Sequence, residues 1–451
     1  MAIRQILVAA ILCICAAVMS ADAQISGTLP VIHLTTQNGQ EVVSKTQAIA
    51  GSLYITVPEG SDMQPLGNEE SPIALTIRGR GNSSWRSPKK PYKIKFIKSQ
   101  QILGLPSNKH FALLNLGYNY MASMAAMEAM RMLNGTWSPH IVPVELIMNG
   151  RYDGMYFLAE TVRIDPKRLD IFKQNDLETD SRLIPYGWLV EIDNYAEPNQ
   201  ILVYEPGPSS MKVTYKSPEQ LSDSQEQWLK SEFSAMVKAL YDKSLGDEQR
   251  TAHIDIRSAA CYFVIRELFH DTDAYHGSLY LHRDYEADAR WHFGPLWDIG
   301  FSPDKTAWVI DKRPSYAQCH LIGPLMENAR FMATVNDVWA EFRGRVMPHM
   351  MEYIDEIAEL CAAADDANHN RWPDIFPPDA PAKALALKEG LSNSAAWIDG
   401  KTGYTNKIED MESNPDAGEP EYFNLQGMRV KNPRKGIFIE RRGREFRKIR
   451  R

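Results

Sequence analysis

Strand-like and helix-like patterns are segregated along this chain, and that order constrains the fold more than any single motif. Residues 24–96 hold short β-rich runs, such as 29–34 and 52–57, parted by polar turns that carry Gly and Pro. Two further runs, 141–148 and 155–158, flank Asn149-Gly150-Arg151-Tyr152-Asp153-Gly154, a composition that predicts a hairpin. From about residue 222 the apolar positions repeat at helical spacing instead, over 222–240, 256–269, 329–363 and 382–397. An earlier helix is predicted over 119–133, where Met121, Met124 and Ala125 recur at helical spacing and Asn134-Gly135 supplies the stop. Strands first and helices later predict an α+β fold, β-rich to about residue 96 and helical from about 222. No fixed-period repeat points to a solenoid or a propeller.

One supersecondary unit in the helix-rich half carries two carboxylates. Asp273 precedes the alternating run Ser278-Leu279-Tyr280-Leu281-His282, and Asp298 follows a second strand-like run, 291–297. Acidic side chains a short hairpin apart suit cation-dependent phosphoryl transfer. One orients or deprotonates an acceptor hydroxyl, and the other holds the divalent ion that neutralises nucleotide phosphate charge. Aspartates also cap turns, and the pair on its own does not separate the two readings.

A second motif lies upstream. Arg78-Gly79-Arg80-Gly81-Asn82-Ser83-Ser84-Trp85 ends a strand in a Gly-containing loop, and the following strand sets Lys93 and Lys95 on one face. Loop N–H groups and an ammonium are what a phosphate clamp requires. An ordinary hairpin with solvated lysines fits the same residues. Arg78 and Arg80 are candidate phosphate contacts, and Glu160 and Glu191, each near the end of a strand-like run, are candidate partners for the lysine or a metal.

Four ordered blocks together resemble the CotH family, atypical protein kinases first known from bacterial spore coats. They are RGRGNSSWRSPKKPYKIKF at 78–96, VPVELIMNGRYDGMYFLAE at 142–160, GWLVEID at 187–193, and HDTDAYHGSLYLHRD with HFGPLWDIGF around Asp273 and Asp298. The resemblance implies a rearranged protein-kinase-like fold that binds ATP with Mg²⁺ or Mn²⁺ and phosphorylates a protein hydroxyl. Carried over by position, Asp273 matches the catalytic aspartate and Asp298 the metal-binding aspartate. Lys93 is taken as the phosphate lysine, with Lys95 as its substitute if the register slips by two. The chain departs from the family pattern in three places: Asp298 is followed by Ile299-Gly300 with no second acid, Asp273 by His276, Gly277 and Ser278 with no Asn, and 117–124 lacks the usual Asp and Arg. These departures imply the alternative of a pseudokinase serving as a surface structural or binding protein.

The ends of the chain address location. Arg4, the apolar run 6–19 and Ala21-Asp22-Ala23 match a secretory signal peptide with cleavage after residue 23, and no later run is long enough to span a bilayer. Cys13 and Cys15 fall in that leader, so Cys261, Cys319 and Cys361 allow at most one disulfide. The domain is expected over 24–400 and a polar linker over 401–420. The segment 421–451 resembles the C-terminal sorting module of Bacteroidetes proteins, through Tyr422-Phe423-Asn424-Leu425-Gln426-Gly427 and Lys435-Gly436-Ile437-Phe438-Ile439. That resemblance implies a Gram-negative secreted protein, periplasmic or cell-surface, handled by outer-membrane secretion machinery. The net charge of −7 conceals a local +8 from residue 431 onward, leaving about −15 on the rest. Nucleic acid is not expected as a partner, because the leader exports the chain and no basic-aromatic interleaving forms a stacking groove. A carbohydrate-associated role would rest on Tyr118, Tyr120, Trp137 and Tyr152, which also suit core packing.

Overall fold

The computed structural model describes residues 25–133, 135–193, 195, 197–204, 210–275, 277–286, 289–312, 321–405, 421–423, 429–430, 437–442 and 445–450. The proposed leader, Asn134, His276, Cys319, most of the proposed linker and the turns of the C-terminal segment lie outside the described residues. Two units are defined, one through Thr402 and one from Gly403 to Arg451.

The first unit begins with seven strands: β1 (Val31–Thr36), β2 (Ile49–Thr56), β3 (Ile73–Gly79), β4 (Tyr92–Ile102), β5 (Leu105–Leu114), β6 (Ile141–Met148) and β7 (Arg151–Glu160). They close into a barrel in the order β1-β2-β3-β4-β5-β7-β6, with β1 parallel to β6 and the other pairs antiparallel. Strand alternation fills it. On β4, Tyr92, Ile94 and Phe96 are buried while Lys93 and Lys95 face out. Ile32, Leu53, Ile77, Phe111 and Leu146 belong to the same interior cluster. Each fully buried aliphatic or aromatic side chain there contributes roughly 1.5–3 kcal/mol relative to exposure. The β6–β7 turn forms as its composition predicts: Asn149 and Gly150 take φ of 52° and 76°, the two positive values a tight hairpin turn demands.

Helix α1 (Tyr120–Met132) is inserted between β5 and β6 and is buried along most of its length. The β-rich part does not stop near residue 96. It continues through β7 into a second sheet built from β8 (Trp188–Ile192), β9 (Gln200–Val203), β10 (Met211–Ser217), β11 (Leu279–Arg283) and β12 (His292–Phe293), in the order β12-β11-β8-β10-β9. Between β10 and β11 come α2 (Asp223–Tyr241), whose Ser222 and Gln225 form a reciprocal capping box, and α3 (Ile256–Leu268), nearly all buried. After β12 follow α4 (Ala329–Glu341), α5 (Met347–Arg371) and α6 (Ala380–Thr402), with a π-turn over Phe342–Val346 dividing the single helix expected at 329–363. In the second unit β13 (Glu421–Phe423), β14 (Arg429–Val430), β15 (Ile437–Arg442) and β16 (Glu445–Arg450) pair antiparallel in the order β14-β13-β15-β16.

Two further expectations are corrected. The run 291–297 is a strand only at His292–Phe293, because Pro295 has no N–H to continue the ladder and Gly294 turns the chain with φ of 120°. Tyr120 and Tyr152 are core residues, 0% and 1% exposed, so no carbohydrate surface rests on them.

Candidate active site

A cavity of about 680 Å³ lies between the outer face of the barrel and the second sheet. The barrel contributes Arg80 beyond β3, Lys93 on β4, Ala112 on β5 and residues 161–164 after β7. The sheet contributes Leu189, Lys216, Ser217 and Tyr280, with Trp297 beside them, and the loop 173–176 and Glu219 complete the lining. Arg80, Arg163, Lys93, Lys173 and Lys216 face only Asp176 and Glu219, a cationic excess that suits a polyanionic ligand. Lys93 registers that excess: burial, then Arg78 and Arg163, lower its amine to about 8. The Arg80 guanidinium lies 5.4 Å from the centroid of the Trp297 ring, and the Asp298 carboxylate partly offsets the cost of burying it.

The acidic side of the site is assembled by Arg266. This fully buried guanidinium pairs with the Asp271 carboxylate and donates to the carbonyls of Trp297 at 2.7 Å and Asp298 at 2.9 Å. It therefore fastens the loop before β11 to the loop after β12. Asp271 Oδ1 also accepts the N–H of Asp273 at 3.1 Å. A side chain at Gly300 would come within 2.8 Å of Asp271, so glycine there permits the close approach of the two loops. His270, Tyr275, Ser278 and Asp298 all have positive φ without being glycine. Such backbone strain gathers where surrounding structure fixes a functional loop.

Asp273 and Asp298 sit at the same end of the β11–β12 hairpin, and both reach solvent. Asp298 is nonetheless hemmed in by protein: burial raises its carboxyl pKa, Asp271 and Asp273 push the same way, and Arg80 and Arg266 oppose. A divalent cation would relieve that crowding of negative charge. Among the described residues no group of three or more His, Cys, Asp or Glu forms a ready cage. Mg²⁺ does not require one, since it is held by one or two carboxylates with phosphate oxygens and waters. Asp298 fits such an ion.

Lys93 and Arg80 thus line the cavity, whereas Asp298 and Asp273 lie outside its lining, Asp298 linked to it through its charge on Arg80 and Asp273 through its charge on Asp298; the other candidates are set apart. Arg78 donates to the Lys45 carbonyl and acts on Lys93 only through its charge. Lys95 is exposed and does not line the cavity. Glu160 does not pair with Lys93: it aligns with Phe111, whereas Lys93 aligns with Ala112, so the two side chains leave opposite faces of the barrel wall. It instead accepts from His140 Nδ1 at 2.8 Å and lies 3.6 Å from Arg168. Glu191 braces the site from behind, pairing with Lys216 at 2.6 Å and bonding Tyr280, with its pKa raised by burial. Arg163, Lys173, Lys216 and Arg266 carry no sequence motif and emerge only once the sheet and barrel face each other.

Among the described residues, no helix is long and apolar enough to cross a membrane. Cys261 and Cys361 are buried free thiols, each raised to about 12 by burial. No curated protein matches the chain. The profile of the family described as CotH kinase protein matches residues 77–410, most of the chain and every element that builds the cavity, so the protein belongs to the CotH family.

Proposed function

We propose that the protein is an exported atypical kinase that transfers the γ-phosphoryl group of ATP, with Mg²⁺ or Mn²⁺, to a protein hydroxyl. The observation that carries this reading is the meeting of opposite charges in one place. A cation-lined cavity fits the triphosphate, and two aspartates stand at the end of the adjoining hairpin. Lys93 and Arg80 balance phosphate charge and hold the nucleotide from the barrel side. Asp298 would be the principal protein ligand of a divalent metal, which would supply neutralisation of charge on the transferring phosphate. Asp273 orients the acceptor hydroxyl and takes its proton. The reading places this reaction outside the cytoplasm, on the strength of the leader-like N-terminus, with the C-terminal segment serving sorting to the cell surface.

Incubation of the protein with ATP and Mg²⁺, followed by mass spectrometry of its own hydroxyls and of added acceptor protein, tests the reading. Phosphate transfer that Asp273→Asn abolishes while ATP still binds supports it. One observation favours the pseudokinase reading: Asp271, the third carboxylate near the site, is committed to Arg266, leaving two acids for metal and acceptor together. ATP binding without transfer by the unaltered protein selects that alternative.

A further inference from the structure

A second cavity, of about 600 Å³, borders the same strand as the first. Tyr92 and Lys93 are consecutive on β4, so their side chains leave opposite faces. Lys93 enters the first cavity and Tyr92 lines the second. The loop between β3 and β4 is shared in the same way: its start, Arg80, lines the first cavity, and Trp85, Pro88 and Lys90 line the second.

The second cavity has a different chemistry. Two acids, Glu41 and Asp153, balance two bases, Lys90 and Arg151, so there is no cationic excess to draw a polyphosphate. Three aromatic rings, Trp85, Tyr92 and Trp372, line it. These groups are fixed in advance. Trp372 Nε1 donates to the Asp153 carbonyl at 2.9 Å, and the Trp85 ring covers Gly79 so closely that a Cβ there would approach within 2.3 Å. Asp153 accepts from the Tyr156 hydroxyl at 2.7 Å and lies 3.7 Å from Arg371. Tyr92 is 8% exposed, and its hydroxyl makes no hydrogen bond to another described residue. Its ring is packed into the barrel wall while the residue still lines the cavity, where a ligand can reach the hydroxyl.

Half-buried indoles interspersed with donors and acceptors of balanced charge match a ring that has an apolar C–H face and a rim of hydroxyls. A peptide is less well served, since a closed barrel offers no strand edge for main-chain pairing. We propose that this cavity binds a neutral saccharide, packed against the exposed parts of Trp85 and Trp372 and hydrogen-bonded through Arg151, Asp153, Glu41 and Tyr92. The site does not depend on the kinase reading and uses other residues than the core tyrosines Tyr120 and Tyr152.

Calorimetric titration of the full chain with maltose, cellobiose, lactose and mannobiose, each up to about 10 mM, tests the assignment. At least one disaccharide is expected to bind, with a change in tryptophan fluorescence. Arg151→Ala and Tyr92→Phe are expected to weaken that binding, the former about tenfold or more, while the thermal unfolding profile is kept. Absence of binding across the panel overturns the proposal, as does binding that neither variant alters. Binding of poly-L-proline that Tyr92→Phe weakens, with no disaccharide bound, overturns it in favour of a peptide groove.

Discussion

The two cavities share one strand and one loop and yet differ in the charge they present. Lys93 faces a wall where five cationic side chains meet two acids, and Tyr92, its neighbour, faces one where acids and bases balance among indoles. The difference teaches that a β-strand can serve two sites at once, because the two-residue period sends alternate side chains to separate environments. It also shows that charge balance, more than volume, tells the two cavities apart.

The largest effect is expected from Arg266→Met, which leaves the Asp271 carboxylate buried without its partner. A loss of about 3–5 kcal/mol of unfolding free energy in a urea titration is predicted, because an uncompensated buried charge is costly. Loss of only a few tenths would mean that Arg266 does not hold the two aspartate loops together. Next comes Lys93→Met, expected to weaken ATP binding about tenfold to a hundredfold and to leave the second cavity unchanged. A comparable effect on disaccharide binding would break the separation of the two sites.

The comparison extends to pH. Lys93 is held down to about 8 by burial and neighbouring cations, so its charge is present below that value and lost above it. ATP affinity is therefore predicted to fall as pH rises through about 8, and Lys93→Met to flatten that profile. Lys89, a buried residue of the shared loop, has its amine lowered by burial to about 7 against an ordinary 10.5. Between those values the unfolded chain binds the proton that the folded chain has released, so this residue makes stability rise with pH across the window. Urea unfolding at pH 7 and pH 9 is expected to show a smaller difference in Lys89→Met than in the unaltered protein. The smallest effect is predicted for Arg151→Ala, an exposed position: stability within about 0.5 kcal/mol and ATP binding unchanged.

Local features were legible in the sequence because local physics dictates them. Asn149-Gly150 announces its turn, and the alternation through Tyr92, Lys93 and Ile94 places the lysine outside the barrel. Asp273 and Asp298 could be set at one hairpin end for the same reason. Barrel closure was not legible, since β1 pairs in parallel with β6 across more than a hundred residues and nothing in either strand names its partner. The same distance hid Lys173 and Lys216, which reach the nucleotide-sized cavity from segments far from Lys93 in sequence. Glu160 misled because a carboxylate at a strand end looks available until the fold delivers His140 and Arg168 to it. The short β12 followed from Pro295, whose effect on the ladder the apolar pattern of 291–297 concealed.

Calorimetric titration of ATP with Mg²⁺ into the unaltered protein, Asp298→Ala and Lys93→Met bears most directly on the phosphotransferase reading. Metal-dependent binding is predicted for the unaltered protein, with loss of the metal dependence in Asp298→Ala and weakened affinity in Lys93→Met. ATP binding that both variants retain in full, or no binding by any of the three, would contradict it.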